Sequence, residues 1–204
     1  MSERPEMPII LASGSSTRRQ LLAGAGIAFT VQPADVDEDA LRLEMAAGER
    51  CDPMAVAKAL AAAKAVAVSK SASGALVIGA DQILELAGEI ITKSTSRAEA
   101  RRTLIRMSGQ SHSLHSALAI ARDGQVVWQI CESAQLTMRA LSDVAIDAYL
   151  DQAGPGALSS VGAYQIEGPG ILLFERIEGD YFTILGLPLL PLVAALRREG
   201  AVPA

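Results

Sequence analysis

Short solid apolar runs alternate along the chain with longer stretches of helical spacing. Met7 to Leu11 is an apolar run that reads as a buried strand. It leads into LASGSSTRRQLL, Leu11 to Leu22, whose Arg18 to Ala23 is an amphipathic turn ending near Gly24 and Gly26. Ile27 to Gln32 reads as a second strand, and Pro33 to Asp39 as an acidic, irregular stretch. Asp52 and Pro53 suit an N-cap and first helical position, followed by an alanine-rich helix over Met54 to Val68. Leu76 to Ile78 and Ile83 to Leu86 read as two short strands flanking Gly79-Ala80-Asp81-Gln82, with a hairpin turn at Ala87-Gly88-Glu89.

Further on, Ser96 caps a helix over Arg97 to Met107, with Glu99 completing a capping box. Ser113 to Ala121 and Gln125 to Cys131 form a hairpin pair around Asp123-Gly124, and Ala134 to Arg139 alternates as another strand. Ser142 caps a helix through Leu150. Ile171 to Phe174 reads as a strand, and Ile184 to Leu196 as a closing apolar, largely helical segment. Helices and strands mix without strict alternation, so the expected class is α/β of the mixed α+β kind. No repeat or long linker divides the chain, and residues 1–204 are expected to form a single domain with a core over 7–198.

Composition narrows the function classes. Half of the 204 residues are apolar but only 3% are aromatic, so the core is expected to be mainly Ala, Leu, Ile and Val. The formal net charge of −5, with no block of like charge, argues against a nucleic-acid partner, which needs a broad positive face. Cys51 and Cys131 have no metal-ligand spacing and suit a reducing compartment. No apolar run approaches the ~20 residues of a membrane span. Together these point to a cytoplasmic protein with no membrane partner.

Chemistry gathers at a few positions. A strand, a hydroxyl-rich loop and a helix start with two arginines offer an anion backbone N–H groups, the helix dipole, hydroxyls from Ser13 and Ser15, and the charge of Arg18. Gly14 allows close approach. An ordinary capped helix with solvated arginines is the other reading. Asp81, at a strand end beside small residues, either binds a metal or orients water, or makes an Asx turn. Asp35, Asp37, Glu38 and Asp39 either share a hard cation or form a solvated loop. Lys64 and Lys93 are phosphate partners or surface lysines. His112 and His115, three apart on a strand, face opposite sides, which argues against a two-His metal site and for a hydrogen-bonding role for His112. No Gly-x-Ser-x-Gly elbow supports Ser-His-Asp catalysis. Combined, an anion loop, separate carboxylates and lysines are the parts of a metal-assisted hydrolase of a phosphate anhydride.

Eight stretches stand out in order: LASGSSTRRQLL (Leu11 to Leu22), VDE (Val36 to Glu38), LAAAKA (Leu60 to Ala65), GADQ (Gly79 to Gln82), GEIITK (Gly88 to Lys93), MSGQSH (Met107 to His112), VGAYQIEGPG (Val161 to Gly170) and ERIEGDYFTILGLPL (Glu175 to Leu189). On these the chain resembles the Maf family of nucleoside triphosphate pyrophosphatases. Each motif alone is weak, and eight in register are specific. The resemblance implies the fold shared with inosine triphosphate pyrophosphatase: a long twisted mixed sheet with helices, two lobes around a nucleotide cleft, often dimeric. It implies hydrolysis of a nucleoside triphosphate to a monophosphate and pyrophosphate, with Mg²⁺ or Mn²⁺ as cofactor. It implies Asp81 as proton acceptor, Glu38 as metal and water ligand, and Asp81 as a second metal ligand. Lys64 joins the catalytic set, and Ser13, Gly14, Ser15, Arg18 and Lys93 bind substrate.

Departures from the family pattern bear on the base. Ser16-Thr17 stands where a proline-arginine is usual, and Ser159-Ser160 replaces an Asp-Lys pair. Thr92-Lys93-Ser94 stands for Gly-Lys-Pro. Gln82, Glu167 and the FERIEG run resemble the subgroup acting on 7-methylguanosine triphosphate, whereas Thr17 matches neither subgroup. A carboxylate at Glu167 suits guanine, whose N1–H and amino group both donate. The missing charges motivate one alternative: a nucleotide-binding regulator of cell division with little or no turnover.

Overall fold

The structure, a computed structural model, describes residues 7–46 and 52–203. Cys51 and the polar segment 1–6 lie outside the described residues. Among the described residues seven strands build one mixed sheet: β1 (Ile9–Leu11), β2 (Thr30–Val31), β3 (Leu76–Leu86), β4 (Glu89–Ile91), β5 (Ser111–Arg122), β6 (Gln125–Met138) and β7 (Phe174–Glu178). Their order is β2-β1-β3-β5-β6-β7, with β4 also paired to β3. β1 runs parallel to β2 and β3, while β4 is antiparallel to β3 and β7 to β6. The helices are α1 (Ser16–Gly24), α2 (Glu38–Ala46), α3 (Pro53–Ser69), α4 (Arg97–Met107), α5 (Asp143–Ala153), α6 (Tyr181–Ile184) and α7 (Leu189–Arg198).

The described residues form two compact units. The first draws on Met1–Asp81, Ser116–Glu132 and Tyr181–Ala204. Its core joins Leu11 of β1, Leu22 of α1, Leu76 and Ile78 of β3, Leu118 and Ile120 of β5, and Leu192 and Leu196 of α7, nearly all aliphatic. The second unit draws on Gln82–His115 and Ser133–Asp180. It holds α4, α5, β4, β7 and the irregular chain from 154 to 173, most of it in short 3₁₀ turns.

Local signals locate most helix starts. Ser15, Asp52, Ser96 and Ser142 each accept a hydrogen bond from the first turn of their helices, and Pro53 occupies the first turn of α3. The capping box at Ser96 is offset by one residue, because the Glu99 carboxylate accepts from the Thr95 N–H and hydroxyl. The Asp123-Gly124 turn joins β5 to β6 as the pattern indicates, with φ of 49° and 81°.

Other expectations are corrected. β3 is one continuous strand, so Asp81 sits in its interior rather than at a strand end. A buried charge flanked by small residues imitates a turn, but here its oxygen is paired with Lys64, so pairing need not break. β6 likewise runs straight through Glu132 and Ser133, whose side chains bond to Thr183 and His115. The acidic stretch ends in α2, because Asp37 accepts from the Ala40 N–H and starts a helix at Glu38. β2 covers only Thr30–Val31 of the expected run. Pro169–Leu173 is 3₁₀, and the strand begins at Phe174.

Gly79 fixes the geometry of the first unit. A Cβ on it would lie 2.1 Å from the Ala61 carbonyl oxygen and 2.6 Å from the Ala65 nitrogen. The strand backbone therefore rests directly on α3, at a stretch of alanines. That approach brings Lys64, on the same helix, against Asp81. Gly79→Ala is expected to force strand and helix apart and to destabilise by about 1–3 kcal/mol. Urea unfolding measures this, and an unchanged midpoint would show that the approach is slack.

Candidate active site

Five of the expected side chains meet in the first unit. Lys64 Nζ lies 2.6 Å from Asp81 Oδ1 and 2.8 Å from Glu38 Oε1, so one ammonium bridges two carboxylates. The second oxygen of Glu38 accepts from Arg42 at 2.9 Å. Asp81 is 5% exposed, and its Oδ2 is buried with no hydrogen-bond partner among the described residues. A buried carboxylate oxygen left without a donor is costly, which marks it for a group not part of the chain.

Arg18 ties this set to the loop ahead of α1. Its Nη1 donates to the Ala80 carbonyl at 2.9 Å and to Ser13 Oγ at 3.2 Å, and its Nε donates to the Gly186 carbonyl at 2.8 Å. It therefore grips the backbone immediately before Asp81. Burial lowers the guanidinium's pKa, and Asp81 and Glu38 act to raise it. Ser13 is buried and also accepts from the Ser15 N–H, while Ser15 caps α1. Gly14 is exposed between them, at the positive end of the helix.

Burial is the largest influence on Glu38 and raises its pKa. The hydrogen bond and charge of Lys64, then Arg42, outweigh it, so the carboxyl sits below its ordinary value. The unfolded chain thus binds the proton more readily, and stability rises with pH through the window between the two values. The contribution is complete above the unfolded value near 4.5 and is lost as pH falls through the lowered folded one. Urea titrations of the metal-free protein should show the stability gap to Glu38→Gln shrinking as pH falls through that window and levelling off below it. A gap independent of pH would contradict the pairing.

The remaining expected residues lie in the second unit. Lys93 follows β4 on the wall of a cavity of about 420 Å³, which Arg102 and Arg106 also line. Gln82 follows Asp81 on β3, and Glu167 is exposed in the turn between Ile166 and Gly168. His112 bonds Tyr164, and His115 bonds Glu85 and Ser133, so the two histidines serve separate partners. The sequence reading missed Arg42 and the carbonyls of Ala80 and Gly186. Arg42 stands four residues after Glu38, a spacing that becomes informative once α2 is known to be a helix.

A metal would have to be shared with the substrate. Among the described residues no group of three or more His, Cys, Asp or Glu is placed to hold one. Glu38 and the unpartnered Asp81 oxygen offer hard oxygen donors, which fits a divalent ion completed by phosphate oxygens and water. Among the described residues no helix is long and apolar enough to cross a membrane. Cys131 is a free thiol, and burial pushes its pKa up to about 11.

A hydroxyl-bearing loop at the start of α1 thus stands beside a carboxylate pair bridged by one lysine. The chain belongs to the Maf-like protein family, whose model matches residues 8–199. It is 49% identical over 195 residues to the nucleoside triphosphate pyrophosphatase of Caulobacter vibrioides, covering 96% of this chain and 97% of that one. It is 50% identical over 194 residues to the 7-methyl-GTP pyrophosphatase of Brucella suis, covering 95% and 97%. The nucleoside triphosphate pyrophosphatase of Paramagnetospirillum magneticum is 51% identical over 191 residues, covering 94% and 98%.

Proposed function

We propose that this protein is a nucleoside triphosphate pyrophosphatase that acts on 7-methyl-GTP and releases a nucleoside monophosphate and pyrophosphate. Residues 1–204 are read as one catalytic domain, supported by a single family match from residue 8 to 199. The observation that carries the reading is the Asp81 carboxylate, paired on one oxygen by Lys64 and unpartnered on the other. Relatives of both names, at about equal identity, support the activity, and Glu167 supports the choice of base.

In this reading Ser13, Gly14 and Ser15 at the start of α1 take phosphate oxygens, and Lys93 adds a further positive contact. Asp81 orients a water molecule and accepts its proton at Oδ2. The water oxygen attacks the α-phosphorus, and the α–β bridging oxygen leaves with its electron pair on pyrophosphate. Lys64 pairs with Asp81 and offsets the charge that builds on the phosphoryl oxygens. Arg18 holds the backbone ahead of Asp81 and contributes charge to the same end. When bound by Glu38 and Asp81, Mg²⁺ or Mn²⁺ supplies neutralisation of phosphate charge. Glu167 accepts from guanine N1–H and its amino group and repels the carbonyls of uracil, with Gln82 as a second substrate contact.

The test is a panel of 7-methyl-GTP, GTP, UTP and dTTP with Mg²⁺ or Mn²⁺, reading pyrophosphate and orthophosphate separately. Pyrophosphate release, fastest from 7-methyl-GTP and abolished by excess chelator, is expected. Binding without release would favour the regulator reading, orthophosphate would indicate a different hydrolase, and turnover surviving chelation would remove the metal.

A further inference from the structure

We propose that His112 and Tyr164 are positioning residues for base recognition: their buried hydrogen bond fixes the turn that carries Glu167. The inference rests on the reading of Glu167 as the base contact. His112 Nε2 and the Tyr164 hydroxyl share a hydrogen bond of 2.7 Å, and both side chains are buried. Nδ1 of His112 is buried without a partner among the described residues, so Tyr164 is the one polar tie they offer its ring. Packing alone would be served better by an aliphatic side chain, which strands no polar atom. The bond to Tyr164 is therefore what calls for a histidine here. Burial brings the ring's pKa down to about 4, so it is neutral near pH 7.

Tyr164 opens the turn. Its ring meets Phe174 edge-on at 4.8 Å between centroids. Just ahead of it, Gly162 and Ala163 hold left-handed φ of 76° and 59°. An alanine keeps that conformation only where its surroundings impose it. They do so here: the Tyr149 hydroxyl donates to the Ala163 carbonyl at 3.1 Å, and Ser160 Oγ donates to the Tyr164 carbonyl. Ser159 accepts from Gln165 Nε2 at 3.0 Å, so both serines that replace the family's charged pair bond to this segment. The turn itself closes through the Gly168 N–H on the Gln165 carbonyl at 3.2 Å, with Glu167 inside it. Gly170 packs beneath, where a Cβ would stand 2.4 Å from that carbonyl. Fixed neighbours around an exposed carboxylate are what a base-reading group needs, because pre-ordering removes the cost of freezing the loop on binding.

The test compares kcat and KM for 7-methyl-GTP and UTP in wild type, Tyr164→Phe, His112→Leu, His112→Gln, Glu167→Gln and the Tyr164→Phe/Glu167→Gln double variant. Tyr164→Phe keeps the ring and removes the bond. It should lower the 7-methyl-GTP to UTP ratio of kcat/KM about fivefold or more, through KM, with kcat within about twofold. His112→Leu should do the same, and His112→Gln, which keeps a polar atom near Nε2, should recover most of it. In the Glu167→Gln background Tyr164→Phe should change the ratio no further, since both act through one carboxylate. Equal losses for both nucleotides, or effects that add, would overturn the positioning role and leave Glu167 as base contact. A ratio unmoved by Glu167→Gln would overturn the base contact itself and the positioning role with it. Should His112→Leu fail to fold, Tyr164→Phe still decides the question.

Discussion

Asp81→Asn is expected to lower hydrolysis about 10²-fold or more while the nucleotide still binds. The amide keeps the shape of the side chain and its place on β3, beside Gly79 and Ala80. It loses the negative charge that pairs with Lys64 across 2.6 Å. It also loses the basic lone pair at the Oδ2 position, the oxygen of the carboxylate with no donor among the described residues. An amide nitrogen there cannot accept the water's proton. Binding should persist because the anion loop and α1 do not depend on that charge. Titration by calorimetry with a slowly hydrolysed triphosphate analogue, beside steady-state kinetics, separates the two effects. Near-normal turnover in Asp81→Asn would make Asp81 structural and pass the base role to Glu38.

Arg18→Ala should cost about 2–4 kcal/mol of transition-state stabilisation, or roughly 30- to 1,000-fold in kcat/KM. Its guanidinium makes three hydrogen bonds, to Ser13, to the Ala80 carbonyl and to the Gly186 carbonyl. Truncation leaves two carbonyls without that donor and frees the backbone immediately before Asp81, the proposed general base. It also removes positive charge close to Asp81 and Glu38. Arg18→Lys should recover only part of the loss, because one ammonium cannot reproduce a planar fork that reaches three acceptors. An Arg18→Ala enzyme with wild-type kcat/KM would mean that neither the grip nor the charge matters to the reaction.

Much of the fold could be read from local signals. Ser15, Asp52, Ser96 and Ser142 each cap the helix that follows, and Asp123-Gly124 turns the hairpin, because these effects act within four residues. What misled was chemistry placed inside regular structure. Gly79-Ala80-Asp81 resembles a turn, yet it is strand: its glycine accommodates α3, and its charge meets a lysine seventeen positions away. The acidic stretch resembles a solvated loop, yet Asp37 caps α2 and Glu38 reaches Lys64. The individual candidates Ser13, Arg18, Glu38, Lys64 and Asp81 were nameable from motifs. Their mutual contacts were not, since they depend on how β3 packs on α3 and on where the chain returns at Gly186. Arg18's hold on two backbone carbonyls has no side-chain signature at the far end, so no pattern of residues announces it.

Hydrolysis of 7-methyl-GTP in ¹⁸O-enriched water, with products resolved by mass spectrometry, tests the central claim most directly. If Asp81 delivers water to the α-phosphorus, the label enters the nucleoside monophosphate, pyrophosphate stays unlabelled, and Asp81→Asn suppresses both products together. Label in pyrophosphate, or in orthophosphate with a diphosphate as coproduct, would contradict the account.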